Sequence, residues 1–297
     1  MAAKPISRRP ALTVLREQFL RPIRNSKPQP ATSPLRSSSS RKTQNQNEDE
    51  ESQPDSKRPK SSNSKTAKAM ARLINSKPWS SQLQSSLSTL SPSISNTNFF
   101  QTLRSIKTPT QAFKFFNWVQ TMGFSHNAQS YFMMLEIFGR ARNLNAARNF
   151  LFSIEKKSNG KVKLEDRFFN SLIRSYGQAG LFQESIKLFG TMKSMGISPS
   201  VVTFNSLFSI LLKRSRTSMA KNLYDEMLSM YGVTPDTHTF NILIRGFCMT
   251  SMVDEGFHYF KEMSRFKCDP DVITYNTLVD GLCRAGKVEI ARNVVRV

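Results

Sequence analysis

Apolar residues recur at helical spacing through the C-terminal part of the chain. Phe240, Leu243, Ile244 and Phe247 lie three and four apart and share one face of a helix expected from Phe240 to Cys248. After a polar break, Phe257, Phe260 and Met263 form a second stripe, which predicts a helix from Asp254 to Phe266. This couplet repeats. Thr-His-Thr-Phe-Asn-Ile-Leu-Ile begins at Thr237, Val-Val-Thr-Phe-Asn-Ser-Leu-Phe at Val201, Asp-Arg-Phe-Phe-Asn-Ser-Leu-Ile at Asp166 and Val-Ile-Thr-Tyr-Asn-Thr-Leu-Val at Val272. The shared Asn170, Asn205, Asn241 and Asn276 are 35, 36 and 35 residues apart. Small residues keep the phase at Ser185, Ala220, Gly256 and Ala291, aromatics at Phe189, Tyr224 and Phe260, methionines at Met192, Met227 and Met263, and prolines at Pro199, Pro235 and Pro270.

A hairpin of two such helices is too small to bury its own apolar face, so repeated hairpins stack on one another. The expected fold is therefore all-α, an α-solenoid of stacked helical hairpins with a period of about 35 residues after a disordered N-terminal segment. Ala179-Gly180 and Ala285-Gly286 mark turns between paired helices, where glycine takes the left-handed conformation. Pro199, Pro235 and Pro270 are expected to end each unit, because proline has no amide hydrogen for a continuing helix. The small-residue positions should allow close helix approach.

The period, the Val-Ile-Thr-Tyr-Asn-Thr-Leu run, the Cys-Arg-Ala-Gly-Lys turn, the Phe-x-x-Met pair and the Pro-Asp ending resemble pentatricopeptide repeat proteins of the plant organellar P-type. The match is specific over 166–297, weaker over 93–165 and absent before that. The organisation expected from composition, helical pattern and the repeats together is a transit peptide and disordered linker over 1–65, a helical lead-in over 66–92, degenerate repeats over 93–165 and regular repeats over 166–297, the last one truncated. Within 93–165, Ala112 and Ala147 keep the small-residue phase, Phe132 stands where later units have asparagine, and extra residues fall in the 156–163 loop.

In that family the first helices line a groove in which each repeat faces one base of single-stranded RNA. The fifth and last residues of a repeat select the base, and the second packs against base faces. The resemblance thus implies base selection by Asn170 with Ser200, Asn205 with Asp236, Asn241 with Asp271, and Asn276. It implies packing by Arg167, Val202, His238 and Ile273. Asn with Ser is associated with cytosine and Asn with Asp with uracil, giving 5′-C-U-U. An asparagine amide carries donors and an acceptor and can bond a splayed base edge. Asparagine is also favoured as a helix cap, the competing reading of the same residues. Val202 and Ile273 would be equally ordinary as core. Arg140, Lys213 and Arg284 share a phase suited to phosphates, although Gln178 and Met249 interrupt the row and a solvated charged face gives the same pattern.

The net charge of +22 calls for an anionic partner, but half of it, +11, lies on residues 1–92. Up to Lys42 the sole acidic residue is Glu17, amid arginines, serines and prolines, the composition of an organelle transit peptide. A short amphipathic helix over 11–20 favours a mitochondrion, whereas Met-Ala-Ala and the serines of 37–40 favour a chloroplast. A basic tail without an address and a nuclear signal at Lys57-Arg58-Pro59-Lys60 are the alternatives. Residues 43–65 lack apolar content and are expected to stay disordered. Helical patterns resume at 66–74 and 79–90.

Cys248 and Cys283 are repeat equivalents, and with Cys268 they form no Cys-x-x-Cys. The histidines lack ligand spacing, and neither a deaminase signature nor a nucleotide-binding glycine loop occurs, so no enzyme activity, metal or cofactor is expected. The expected partner is single-stranded organellar RNA, with protein partners for processing and no membrane. A protein-binding helical scaffold is the alternative function, and a catalytic domain beyond Val297 a third. Because the last unit stops inside its second helix, the chain is expected to be a fragment of a longer protein.

Overall fold

The structure is a computed structural model, and it describes residues 60–295. Among these are fourteen helices and no strand. The expected Ala11–Leu20 helix, the acidic patch and the basic Lys57–Lys60 run lie outside the described residues or at their edge. A lead-in of α1 (Lys60–Ser76), α2 (Ser81–Leu90) and α3 (Asn96–Ser105) precedes α4 (Pro109–Thr121). Because α1 opens at Lys60, it includes residues expected to be disordered. Five hairpins follow: α5 (Ala128–Arg140) with α6 (Leu144–Lys157), α7 (Asp166–Gln178) with α8 (Phe182–Ser194), α9 (Val201–Lys213) with α10 (Thr217–Ser229), α11 (Thr237–Met249) with α12 (Val253–Arg265), and α13 (Val272–Arg284) with α14 (Val288–Val295).

First helices pack on first helices, α5 on α7, α7 on α9, α9 on α11 and α11 on α13, while each second helix packs against its own partner. The apolar stripe read from the sequence builds this layer. Phe169, Phe204 and Phe240 are buried, as are Leu172, Leu207, Leu243 and Leu278 at the next shared position. Phe240, Leu243, Ile244 and Phe247 are each fully enclosed. In the second helix Phe257 and Met263 are buried and Phe260 half-buried. Enclosing a side chain of this size stabilises the fold by about 1.5–3 kcal/mol, so the array coheres through these inter-unit layers.

The small-residue positions are buried as expected. Ser185 donates its hydroxyl to the Ile173 carbonyl at 3.1 Å, and a Cβ on Gly256 would stand 2.8 Å from the Cys248 sulfur. Ion pairs tie successive second helices, Lys193 to Glu226 at 2.6 Å and Lys221 to Glu255 at 2.5 Å.

Turns between paired helices close with the amide three residues past the helix reaching back to the last turn: Leu181 to the Tyr176 carbonyl, Arg216 to Leu211, Met252 to Phe247 and Lys287 to Leu282. The residue before each is left-handed, Gly180 at φ 83° and Gly286 at φ 72°, but also Ser215 at 54° and Ser251 at 61°. The same device ends the second helices. Gly196, Gly232 and Lys267 are left-handed just past α8, α10 and α12. This corrects the expectation for Pro199, Pro235 and Pro270: the helices have already ended at Ser194, Ser229 and Arg265, and the prolines instead sit in the extended segment leading into the next hairpin.

Among the described residues no helix is long and apolar enough to cross a membrane, and no three His, Cys, Asp or Glu side chains converge as metal ligands.

Candidate functional site

The extended segments end on residues that cap the next first helix. Ser200 stands at the start of α9, Asp236 of α11 and Asp271 of α13. Asp236 Oδ1 accepts from the Thr239 N–H and the Thr239 hydroxyl, both at 2.7 Å. Asp271 Oδ1 accepts from the Thr274 N–H at 2.8 Å and lies 2.9 Å from the Thr274 hydroxyl, whose one proton has a second, nearer acceptor in Asn241 Oδ1. These residues hold the N-cap positions, with Asp236 and Asp271 making the capping bonds, and the repeated asparagines, each on the second turn of its helix, are not caps.

Each asparagine instead meets the cap of the following unit. Asn241 Nδ2 donates to both carboxylate oxygens of Asp271 at 3.2 Å, and Asn205 Nδ2 donates to Asp236 Oδ1 at 3.4 Å. Asn241 Oδ1 accepts from Thr274 Oγ1 at 2.6 Å, and Asn170 Oδ1 from Ser206 Oγ at 2.7 Å. Two of the three pairs that the resemblance implies are thus joined directly. Asn170 and Ser200 are not joined, because the Ser200 hydroxyl is held at 2.6 Å by Asp166. Asn276 is exposed.

Asn170, Asn205 and Asn241 are 7, 6 and 9% exposed, but their amides face carboxylates and hydroxyls and not an apolar core. The exception is the Asn205 Oδ1 atom, enclosed with no protein donor. Burial pushes the Asp236 carboxyl up, but the hydrogen bonds from Thr239 and Asn205 outweigh it and hold the group below the usual carboxylate range. Asp271 is also held low, first by the Thr274 amide, against a smaller opposing effect of desolvation.

Asn205 and Asp236 form part of the wall of a cavity of about 550 Å³ between α7, α9 and α11. Val202 and His238 line the same cavity, as do Lys213 and Arg174. Val202 and Ile273 are 54 and 62% exposed, so neither belongs to the core. His238 is exposed, and Arg167 is exposed and paired with Glu165 at 3.0 Å. Of the row suited to phosphates, Arg140 pairs with Glu136 and Arg284 with Asp280 on their own helices, whereas exposed Lys213 borders the cavity. Sequence reading passed over Arg174 and Arg245, four residues after their asparagines and both exposed. Their shared phase was the available signal, broken by Ser209 and Asp280 in the other units.

The hairpins match a PPR repeat family model at residues 167–213, 199–249 and 235–284, and a PPR repeat model at 273–296. The chloroplastic pentatricopeptide repeat-containing protein At1g02060 of Arabidopsis thaliana is 67% identical over 238 residues, 80% of this chain and 34% of the relative. The chain belongs to the pentatricopeptide repeat family. Another relative of this pentatricopeptide repeat protein is the large ribosomal subunit protein mL102 (rPPR5) of Arabidopsis thaliana, 32% identical over 151 residues, 50% of this chain and 20% of the relative. This chain thus spans about a third of the first relative and a fifth of the second. The pentatricopeptide repeat protein PPR10, solved in complex with an 18-nt psaJ RNA element, shares the fold with a TM-score of 0.52 at 22% identity, over 77% of this chain and 33% of that one. Chloroplastic and mitochondrial addresses recur in relatives' names, in accord with the organellar localisation expected from the N-terminal composition.

Proposed function

We propose that this pentatricopeptide repeat chain binds single-stranded RNA sequence-selectively in organellar RNA metabolism, one base per repeat. The observation that carries the reading is the enclosed, unpartnered Asn205 Oδ1 at a cavity that Val202, His238 and Lys213 also line. A buried oxygen without a donor costs about 1–3 kcal/mol, and an N–H of a ligand in the cavity would remove that cost. A base lodged between Val202 and His238 would present its edge to Asn205 and Asp236, with Lys213 and Arg174 available to phosphates. The same roles extend to Asn170 with Ser200, Asn241 with Asp271, and Asn276, with Arg167 and Ile273 at the packing positions.

The reading order is 5′-C-U-U over the three complete units. That PPR10 was solved with an RNA element supports RNA as the ligand, and the chloroplastic address of the 67% identical relative favours the chloroplast. The chain acts by occupying RNA, in its processing, stabilisation, splicing, editing or translation, and the protein partners for processing belong to this proposal.

Binding of the chain to a strand containing CUU and to its scramble, at one fixed salt concentration, tests the function. Tighter binding to CUU supports it. Equal affinity overturns it, and a pull-down that survives nuclease would then point to the protein-binding scaffold.

A further inference from the structure

Asp166 is the one acidic residue at its phase among the four regular units; Val201, Thr237 and Val272 are its equivalents. It reaches across the junction between α7 and α9. Its Oδ2 accepts from the Ser200 hydroxyl at 2.6 Å, and its Oδ1 accepts from the Ser200 N–H at 3.2 Å and the Thr203 hydroxyl at 2.5 Å. In the next two units the equivalent threonines have their own caps within reach: Thr239 donates its hydroxyl to Asp236, and the Thr274 hydroxyl lies between Asp271 and Asn241 Oδ1. Ser200 makes no side-chain cap bond within its own helix. A carboxylate thus gathers the donors at each of these junctions, but at this one it comes from the preceding unit.

The consequence is one of hydrogen-bond valence. A serine hydroxyl has one proton, and that of Ser200 is committed to Asp166, so the oxygen can only accept from anything else. The neighbouring amide has the opposite polarity. Asn170 Oδ1 is the nearer of two acceptors for the Ser206 hydroxyl, at 2.7 Å against 2.9 Å to the Val202 carbonyl, and the Asn170 NH₂ has no protein acceptor among the described residues.

We propose that Asp166 is a positioning residue that sets the hydrogen-bond polarity of the Asn170 and Ser200 unit, making it a donor beside an acceptor that fits cytosine and rejects uracil. The proposal rests on the RNA reading above. The cytosine ring nitrogen N3 accepts from the Asn170 amide, and the exocyclic N4 amine donates to Ser200 Oγ. Uracil reverses both, with a donor at N3 and a carbonyl at C4. In the next unit the amide NH₂ is on Asp236 and the enclosed oxygen has no protein donor, the polarity that matches an N3–H.

The test compares the full chain with its Asp166→Val and Ser200→Ala variants on strands that differ only by C or U at the first position of CUU. Asp166→Val installs the residue found at Val201 and Val272 and frees the hydroxyl to rotate and donate. The expected result is a preference for C in the unaltered chain that falls about fivefold in both variants, while preferences at the two U positions stay unchanged. Loss confined to the first position is not what a general loss of structure would give. Should Asp166→Val not fold, Asp166→Thr, the residue at Thr237, is read the same way. Unchanged C preference in the Asp166 variant overturns the proposal and leaves the RNA reading intact. An unaltered chain that binds CUU and its scramble equally overturns both.

Discussion

Leu212 on α9 packs directly over Gly246 on α11, so closely that a Cβ on the glycine would stand 2.6 Å from the leucine Cβ. The relationship recurs at every junction between regular first helices, with the glycine on either side. Gly177 meets Ile210 and Gly281 meets Cys248, and upstream Gly139 meets Ser175. One partner is glycine each time, which lets the helix layers close to the same spacing with different residues.

Gly246→Ala and Gly281→Ala should therefore destabilise the array by about 1–3 kcal/mol through overpacking, despite alanine's better helix propensity. Neither Leu212 Cβ nor Cys248 Cβ can swing away, since each is fixed to its backbone. Urea denaturation reads this, and Gly246→Ala should cost less in a Leu212→Gly background, which removes the facing Cβ, than in the unaltered chain. A glycine replacement that stabilises would show the contact to be unimportant.

Ser215 and Ser251 hold left-handed backbone where Gly180 and Gly286 stand in sister units. A side chain there costs roughly 1–2 kcal/mol relative to the right-handed region, partly offset by the lower unfolded-state entropy of a non-glycine residue. Ser215→Gly and Ser251→Gly should each raise stability by about 0.5–1 kcal/mol, seen as a higher melting temperature.

His126 is buried, stacked on Phe116 with ring centres 3.6 Å apart, and donates from Nε2 to the Phe116 carbonyl at 2.9 Å. Burial is the main cause that pushes its pKa from 6.5 down to about 4, against the backbone hydrogen bond and with help from Lys157. The unfolded chain therefore takes up the proton first. Stability from this site is complete above about pH 6.5 and is lost as pH falls towards 4. At pH 5 the loss should be about 2 kcal/mol, and His126→Phe should flatten that part of the profile. The carboxyls of Asp236 and Asp271, held low, stabilise the fold above the ordinary carboxylate pKa and lose that contribution only at still lower pH.

Asp236→Asn replaces a group that only accepts with one that also donates. Preference at the second position of CUU should relax from U towards C by about tenfold, while the first position keeps its preference. An unchanged profile at the second position would remove Asp236 from base selection.

Val202→Ala and Ile273→Ala remove side chains that are 54 and 62% exposed, so thermal stability should change by less than about 0.5 kcal/mol. RNA affinity should nevertheless fall, by about 1 kcal/mol or more per base contact. Equal losses of stability and binding would return these residues to a structural role.

The sequence alone determined the all-α repeat, because hydrophobic periodicity and a constant interval dictate helical hairpins that must stack. The pairing of Asn205 with Asp236 and Asn241 with Asp271 came from the family resemblance that the sequence carries, and the repeat made it the same in both units. Only tertiary structure revealed that the caps are Ser200, Asp236 and Asp271, and that left-handed residues, not Pro199, Pro235 and Pro270, end the second helices. A cap is defined by backbone angles and by which amides remain free, and neither follows from residue type. Leu212 over Gly246, and Asp166 across to Ser200, were likewise invisible in the sequence. Each joins positions more than 30 residues apart whose contact depends on how two helices cross, and the hydrophobic pattern is silent about that crossing.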